Sequence, residues 1–234
     1  MQKVLICLAV ALLTSLNIPV DRENTPIKEK KTSSEVSECD SLYQEMQLEG
    51  KVSFQAFEYA YEGYKKLNIK NSPFLTLVDY TRPSTEKRFY VLDMKFHKIL
   101  YQTYVAHGRN SGEKYATSFS NQDGSHKSSL GFFRTENTYI GSNGYSLVLD
   151  GLEEGINNLA KARAIVIHGA DYCSESIIRS TGRLGRSYGC PALPRMFAKP
   201  IIDTIKGGSI LFIYAQQQDY LANSHIIKLM KNMG

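Results

Sequence analysis

The chain has 234 residues, of which 42% are hydrophobic and 22% charged, and it carries a formal net charge of +5. That length holds one domain with a real core and a small extension, so no disulfide scaffold is needed to stabilise it. The basic excess forms no recognition motif, which argues against nucleic acid as a partner, and it suits weak attraction to an anionic wall or membrane surface.

Met1-Gln2-Lys3 is a short basic start, residues 4–16 are apolar, and Asp21-Arg22-Glu23-Asn24 is abruptly polar. The pattern is that of a secretory signal peptide over residues 1–20, too short for a comfortable membrane span. Cys7 lies inside the apolar run with almost no leader before it, which argues against lipidation. No later apolar stretch approaches spanning length, so the mature chain is expected to lack an integral membrane span and to reside in the periplasm or cell envelope. Residues 21–33, with Lys28-Glu29-Lys30-Lys31 among them, are polar and without apolar periodicity and read as a flexible linker.

A helical extension is expected over residues 34–70. Thr32 with Glu35 fits a capping box, and Val36, Cys39, Tyr43 and Met46 recur at helical spacing before Gly50. Ser53 can cap a second helix whose apolar stripe is Phe54, Phe57, Tyr61, Tyr64 and Leu67. From Pro73 the period becomes that of strands. Residues 74–78, 88–92 and 99–105 are β-branched and aromatic runs separated by turn residues, which predicts neighbouring antiparallel strands. The segment from His107 to Ser129 is rich in Gly, Ser, Asn and Lys and longer than an ordinary connection, so it reads as a functional or a mobile loop. Further strands are predicted at 145–149 and 164–167, the second buried on both faces. Residues 194–205 suit helical turns interrupted near Pro200, and 209–214 a last strand. The domain over 71–216 is therefore mainly β with a few peripheral helices, followed by a C-terminal tail over 217–234.

The strand at 164–167 ends on His168-Gly169-Ala170, and downstream lies Gly185-Arg186-Ser187-Tyr188-Gly189-Cys190-Pro191. A thiol is mostly protonated at neutral pH and needs an imidazole to take its proton, so Cys190 and His168 read as the nucleophile and base of a cysteine acyltransferase or hydrolase. Gly189 has no Cβ and lets the chain turn tightly, so that successive N–H groups can point at the oxygen of an attacked carbonyl. Pro191 keeps Cys190 out of the body of a helix, while a cap position with help from a helix dipole stays open. With the leader removed, Cys39, Cys173 and Cys190 remain, an odd number that leaves at least one thiol free. Cys39 and Cys173 read as small buried hydrophobes, and whether they pair is left open.

The run Gly182-Arg183-Leu184-Gly185-Arg186-Ser187-Tyr188-Gly189-Cys190-Pro191-Ala192-Leu193-Pro194, with Ile165-Val166-Ile167-His168-Gly169-Ala170 before it, resembles the catalytic motif of the murein L,D-transpeptidases. Ser118-Phe119-Ser120-Asn121, Gly124-Ser125, Ser128-Ser129-Leu130-Gly131 and Gly141-Ser142-Asn143-Gly144-Tyr145-Ser146-Leu147 resemble the divergent YkuD-like branch found in Gram-negative envelopes. The likeness runs from about Ser53 to Tyr214. It implies an L,D-transpeptidase-type β-sandwich or barrel, a catalytic domain over 71–216, peptidoglycan stem peptides as substrate, and neither cofactor nor metal. It also implies Cys190 as nucleophile, His168 as base, the Gly169 carbonyl as the group orienting the imidazole, and a substrate-facing loop at 107–129. A monomer is expected.

Two departures from the family pattern matter. Tyr188 stands where a second histidine is often found, and Ala192 where an Arg or Asn is common. Arg183 and Arg186 are the nearest replacements for a carboxylate-binding cation, and Ser187 and Tyr188 complete the expected substrate-binding set. Water reaching the same thioester would make the protein an L,D-carboxypeptidase or endopeptidase. A wall-binding protein that keeps the fold without catalysis is the rival of another class. A zinc site from His168, Cys173 and Cys190 lacks paired ligand spacing. Papain-like and wall-amidase folds place cysteine before histidine, and sortases place the two much further apart. Should His168 prove remote from the thiol, His107 is the next base.

Overall fold

Residues 37–67 and 72–231 are described by the computed structural model. The expected leader, the linker and the Thr32–Glu35 capping box lie outside the described residues. Ser37 caps α1 (Glu38–Glu45), its hydroxyl oxygen accepting from the Asp40 N–H at 3.0 Å. Ser53 caps α2 (Phe54–Leu67) as its position predicts, accepting from the Ala56 N–H at 3.2 Å. The aromatic stripe is core: Phe57 and Tyr61 are buried, and Tyr43 of α1 meets Phe54 edge-on. At Gly63 a Cβ would stand 2.2 Å from the Phe132 ring, so glycine is what lets α2 lie close against the sheet.

β1 (Phe74–Asp79), β2 (Phe89–Asp93) and β3 (Lys98–Thr103) form the expected antiparallel meander. β4 (Gly131–Gly141), β5 (Gly144–Gly151), β6 (Val166–Ala170), β7 (Ala192–Pro194) and β8 (Ile210–Tyr214) complete one sheet in the order β3-β2-β1-β8-β4-β5-β6-β7. β8 lies inside it, parallel to β1 and antiparallel to β4, and all five of its residues are buried. Such a continuous apolar run suits a strand covered on both faces. Beyond β3, the Ala106 N–H donates to the Ala192 carbonyl of β7 at 2.8 Å, so the two edges meet and the sheet nearly closes into a barrel. The architecture is the expected one, mainly β with peripheral helices.

Three features differ from the sequence reading. β4 had no counterpart in it, because only Phe132 and Phe133 at its inner end are apolar and buried. A register shift between Thr135 and Thr138 then breaks the two-residue period. α4 (Arg195–Ile205) runs through Pro200 without interruption. The ring removes only the hydrogen bond to the Met196 carbonyl, in the helix's exposed first turn. Within residues 217–234 stand α5 (Gln218–Asn223) and α6 (His225–Lys231), with Tyr220, Leu221, Ile226 and Ile227 buried. They are anchored by Glu153, a fully buried carboxylate that accepts from the Phe132 N–H at 2.8 Å and from the hydroxyls of Tyr220 and Ser224.

β6 and β7 decide the position of the site. They are parallel neighbours joined by a crossover that contains α3 (Glu175–Thr181), so residues far apart in sequence come to stand side by side. Among the described residues no helix is long and apolar enough to cross a membrane.

Candidate active site

His168 is the third residue of β6, paired with Ser146 of β5 on one side and with Ala192 of β7 on the other. It is almost fully buried, and Nδ1 lies 3.1 Å from the Gly169 carbonyl oxygen. A carbonyl can only accept, so Nδ1 carries the hydrogen and Nε2 keeps its lone pair. Burial pulls the imidazole pKa below its ordinary value, the Gly169 carbonyl pushes it back up, and the Arg195 charge lowers it again. Gly169 has a second role. Its Cα face lies against α4, where a Cβ would stand 3.1 Å from Ala198 Cβ.

Cys190 occupies the bend just before β7, 9% exposed. Its Sγ accepts from the Val166 N–H at 3.5 Å and lies 3.7 Å from the Ala164 carbonyl oxygen. Val166 and His168 are two residues apart on β6 and so face the same way, about 7 Å apart along the strand. The thiol thus lies against the backbone of β6 at Val166, two residues before His168, with no hydrogen bond between sulfur and imidazole. Burial raises the thiol pKa, while the Val166 N–H, the Arg163 charge and the cysteine's own N–H offset part of the rise. Both shifts favour neutral forms, so the resting pair is thiol and imidazole rather than thiolate and imidazolium. The cap position left open for Cys190 is not used, since α4 begins five residues later.

The turn before Cys190 is held from both sides. Gly189 has φ +127°, and a Cβ there would lie 2.9 Å from both Ile165 Cδ1 and the Lys127 carbonyl oxygen. The Ser187 hydroxyl accepts from the Gly189 N–H at 3.0 Å and donates to the Cys190 carbonyl at 2.7 Å. Ser187, expected to bind substrate, thus has its hydroxyl engaged within the turn, and the Gly189 N–H is already taken. The Cys190 N–H, which helps to hold the thiol pKa down, is the amide left beside the thiol.

From the long loop, the Ser128 hydroxyl donates to the Gly189 carbonyl at 3.0 Å and accepts from the Gly108 N–H at 3.0 Å, while the Ser111 hydroxyl takes the Ser128 N–H. Half-buried Arg163 adds hydrogen bonds to the carbonyls of Ser120 and Lys127 and the hydroxyls of Ser125 and Ser129. These bonds hold residues 107–129 against the cysteine turn although the segment forms no helix or strand. His107 is no alternative base. The fully buried Arg88 guanidinium donates to its Nδ1 at 2.7 Å, so Nε2 must donate to the Gly112 carbonyl at 3.2 Å. Burial and the Arg88 charge push its pKa down to about 3.

The alternative zinc set finds no support in placement. Cys173 packs in a small cluster with Ala106, Leu184 and Ala192, and among the described residues no three His, Cys, Asp or Glu side chains gather closely enough to hold a metal. Cys39, Cys173 and Cys190 are all free and buried, so Cys39 and Cys173 are not paired.

Residues 48–214 match the model of the L,D-transpeptidase catalytic domain. The chain belongs to that family. Among solved structures it is similar to an L,D-transpeptidase from Mycobacterium smegmatis, at 13% identity and TM-score 0.38 over 62% of this chain and 59% of that one. It is also similar to the helical cell shape determining protein Pgp2 from Campylobacter jejuni, at 14% identity and TM-score 0.41 over 72% of this chain and 60% of that one. The matched part is thus about three fifths of each of those chains, and likenesses this remote transfer no residue's role. No curated protein matches the sequence.

In this L,D-transpeptidase domain the two arginines singled out from sequence are engaged by an acid of the long loop. Glu113 Oε2 is 2.8 Å from Arg183 Nε and its Oε1 is 2.7 Å from Arg186 Nη1. Arg183 also donates to the Leu184 carbonyl, and Arg186 to the carbonyls of Arg109 and Gly112. Tyr188 is exposed and rests against the His126 ring at 4.6 Å between centroids. Arg163, Arg109, Glu113 and Ser128 stand at or beside the candidate site without having been assigned a role from sequence. Arg163 in Lys161-Ala162-Arg163 reads as surface charge, and the other three fall in a segment with no periodicity. Only their tertiary partners mark them.

Proposed function

We propose that this protein is an exported murein L,D-transpeptidase that works through a Cys190 thioester. The observation that carries the reading is the pairing of a tightly turned, sulfur-bearing bend with the histidine-bearing strand beside it, inside an L,D-transpeptidase catalytic domain. Cys190 Sγ attacks the carbonyl between the L-centre of the third stem residue and the terminal D-amino acid. The thiol proton passes to His168 Nε2 and then to the leaving amine, and the Cys190 N–H donates to the oxygen that becomes negative. Because burial favours the neutral thiol and imidazole at rest, His168 has its Nε2 lone pair free to receive the thiol proton during the reaction. An amine from a neighbouring stem then attacks the thioester, returns its proton through His168 and restores the thiol. Proton transfer calls for the sulfur to leave the Ala164 carbonyl and come within hydrogen-bond reach of His168 Nε2. Export rests on the basic start and apolar run of residues 1–16.

The test is intact-mass analysis of the mature chain after exposure to a stem tetrapeptide and to a carbapenem. An adduct on the wild type that vanishes in Cys190→Ala is the expected result, and the same adduct on Cys190→Ala would sink the assignment. His168→Ala should slow adduct formation by about 100-fold or more, the usual contribution of a positioned base. Product analysis with an amine acceptor separates transfer, which yields a new amide, from hydrolysis, which yields the free tripeptide acid.

A further inference from the structure

A cavity of about 350 Å³ opens beside the cysteine turn, lined by Arg109, Arg183, Arg186 and Tyr188. Tyr188 is two residues before Cys190, and the Arg109 N–H bonds to the Ser187 carbonyl at 2.7 Å, so the lining is built onto the turn itself. Three guanidiniums meet there, and the carboxylate found among them is that of Glu113. Its two oxygens are divided between Arg183 and Arg186 at 2.8 and 2.7 Å, so the spacing of these cations already fits one carboxylate. Glu113 is nevertheless held loosely: its side chain is 69% exposed, whereas those of Arg183 and Arg186 are 27% and 22% exposed. Ion pairs as open as this are weak and readily exchanged. Arg109 has no acidic partner among the described residues and stands 5.7 Å over the Tyr188 ring. The lining therefore keeps an excess of positive charge beside an exposed aromatic wall.

We propose that Arg109, Arg183, Arg186 and Tyr188 form a carboxylate subsite next to Cys190, occupied at rest by Glu113, and that a carboxylate of the donor peptide displaces Glu113 on binding. This rests on the reading of the protein as one that acts on stem peptides. Arg109 supplies the uncompensated charge that draws the ligand in, Arg183 and Arg186 supply the grip, and Tyr188 covers the adjoining side chain. Glu113 keeps the two guanidiniums in place in the empty enzyme and competes with weakly bound anions, so the subsite selects peptides that also contact the rest of the site.

Arg186 straps residues 109–113, so its truncation would disturb the loop as well as the subsite. Arg109 and Glu113 are exposed and are the variants to use. In the Cys190→Ala chain, which binds without turning over, calorimetric titration with a synthetic stem tetrapeptide is compared with two amidated forms, one at the C-terminus and one at the internal carboxylates. The free acid is expected to bind about tenfold tighter than one of the amides, and which amide loses affinity identifies the carboxylate recognised. Arg109→Ala should abolish that difference, and Glu113→Gln should strengthen binding of the free acid several-fold while leaving the affected amide unchanged. Equal binding of all three peptides, no measurable binding of the free acid, or a Glu113→Gln change that is absent or unfavourable would overturn the proposal. Adduct formation on the chain that retains Cys190 is scored separately. Adducts with no carboxylate dependence leave acyl transfer standing without the subsite, and carboxylate-dependent binding without adducts does the reverse.

Discussion

Replacing Gly189 by alanine is expected to destabilise the domain by about 4 kcal/mol. The residue has φ +127°, and holding a side-chain-bearing residue in such a region costs about 1–3 kcal/mol. The added Cβ would also stand 2.9 Å from Ile165 Cδ1 and from the Lys127 carbonyl oxygen. Ile165 can change rotamer, but the backbone carbonyl is held by Arg163 and cannot retreat freely, and crowding of this kind adds about 1–3 kcal/mol. For a domain of this size the total corresponds to a fall in Tm of roughly 8–16 °C. Gly182→Ala is the control. Gly182 also has positive φ, +74°, but nothing lies within 4 Å of its added Cβ, so only the left-handed backbone cost of about 1 kcal/mol applies. Scanning calorimetry of the two variants isolates the contribution of close packing. Were the chain to relieve the strain by opening the turn, the Ser187 and Ser128 hydrogen bonds would break and iodoacetamide would alkylate Cys190 faster. A Gly189→Ala variant that melts within about 3 °C of Gly182→Ala and alkylates at the wild-type rate would refute the reasoning.

His107 makes stability depend on pH. Its folded-state pKa of about 3 lies below the ordinary 6.5, so the unfolded chain binds the extra proton between those values and stability falls as pH drops below 6.5. Its share of that loss between pH 6.5 and 5 is about 1.6 kcal/mol. In His107→Asn, whose amide can accept from Arg88 and donate to the Gly112 carbonyl, urea midpoints across that range should show a shallower slope, the remainder coming partly from His168. An unchanged slope would count against the Arg88–His107 arrangement. Arg163→Met removes four hydrogen bonds to the loop and should weaken its attachment by about 2–4 kcal/mol, read as faster amide exchange over residues 120–129. Because Arg163 offsets part of the burial-driven rise in the Cys190 pKa, the same variant should shift the pH profile of thiol alkylation upward. A profile that stays in place would show the charge to be without effect on the thiol.

The sequence by itself determined what rests on local order: α2 with its Ser53 cap, the meander of β1 to β3, the buried run of β8, and the family to which the cysteine motif belongs. Capping chemistry, the two-residue period and turn residues act over a few positions and leave their mark in the string. The Gly169 carbonyl beside the imidazole was also readable, because neighbours in sequence must be neighbours in space. The tertiary structure alone decided the rest. β4 is a strand because β8 and β5 flank it, not because its residues alternate. Ser187 is internal to the turn, and His107 is locked by an arginine 19 residues away. Arg163, 27 residues before the cysteine, ties the long loop to it through contacts 34 to 43 residues away in sequence. Arg183 and Arg186 meet Glu113 only because the barrel nearly closes between Ala106 and Ala192 and brings the loop after β3 against the cysteine turn. Long-range electrostatics and hydrogen bonding carry no period along the chain, and so these partners become visible only once the sheet has folded back on itself.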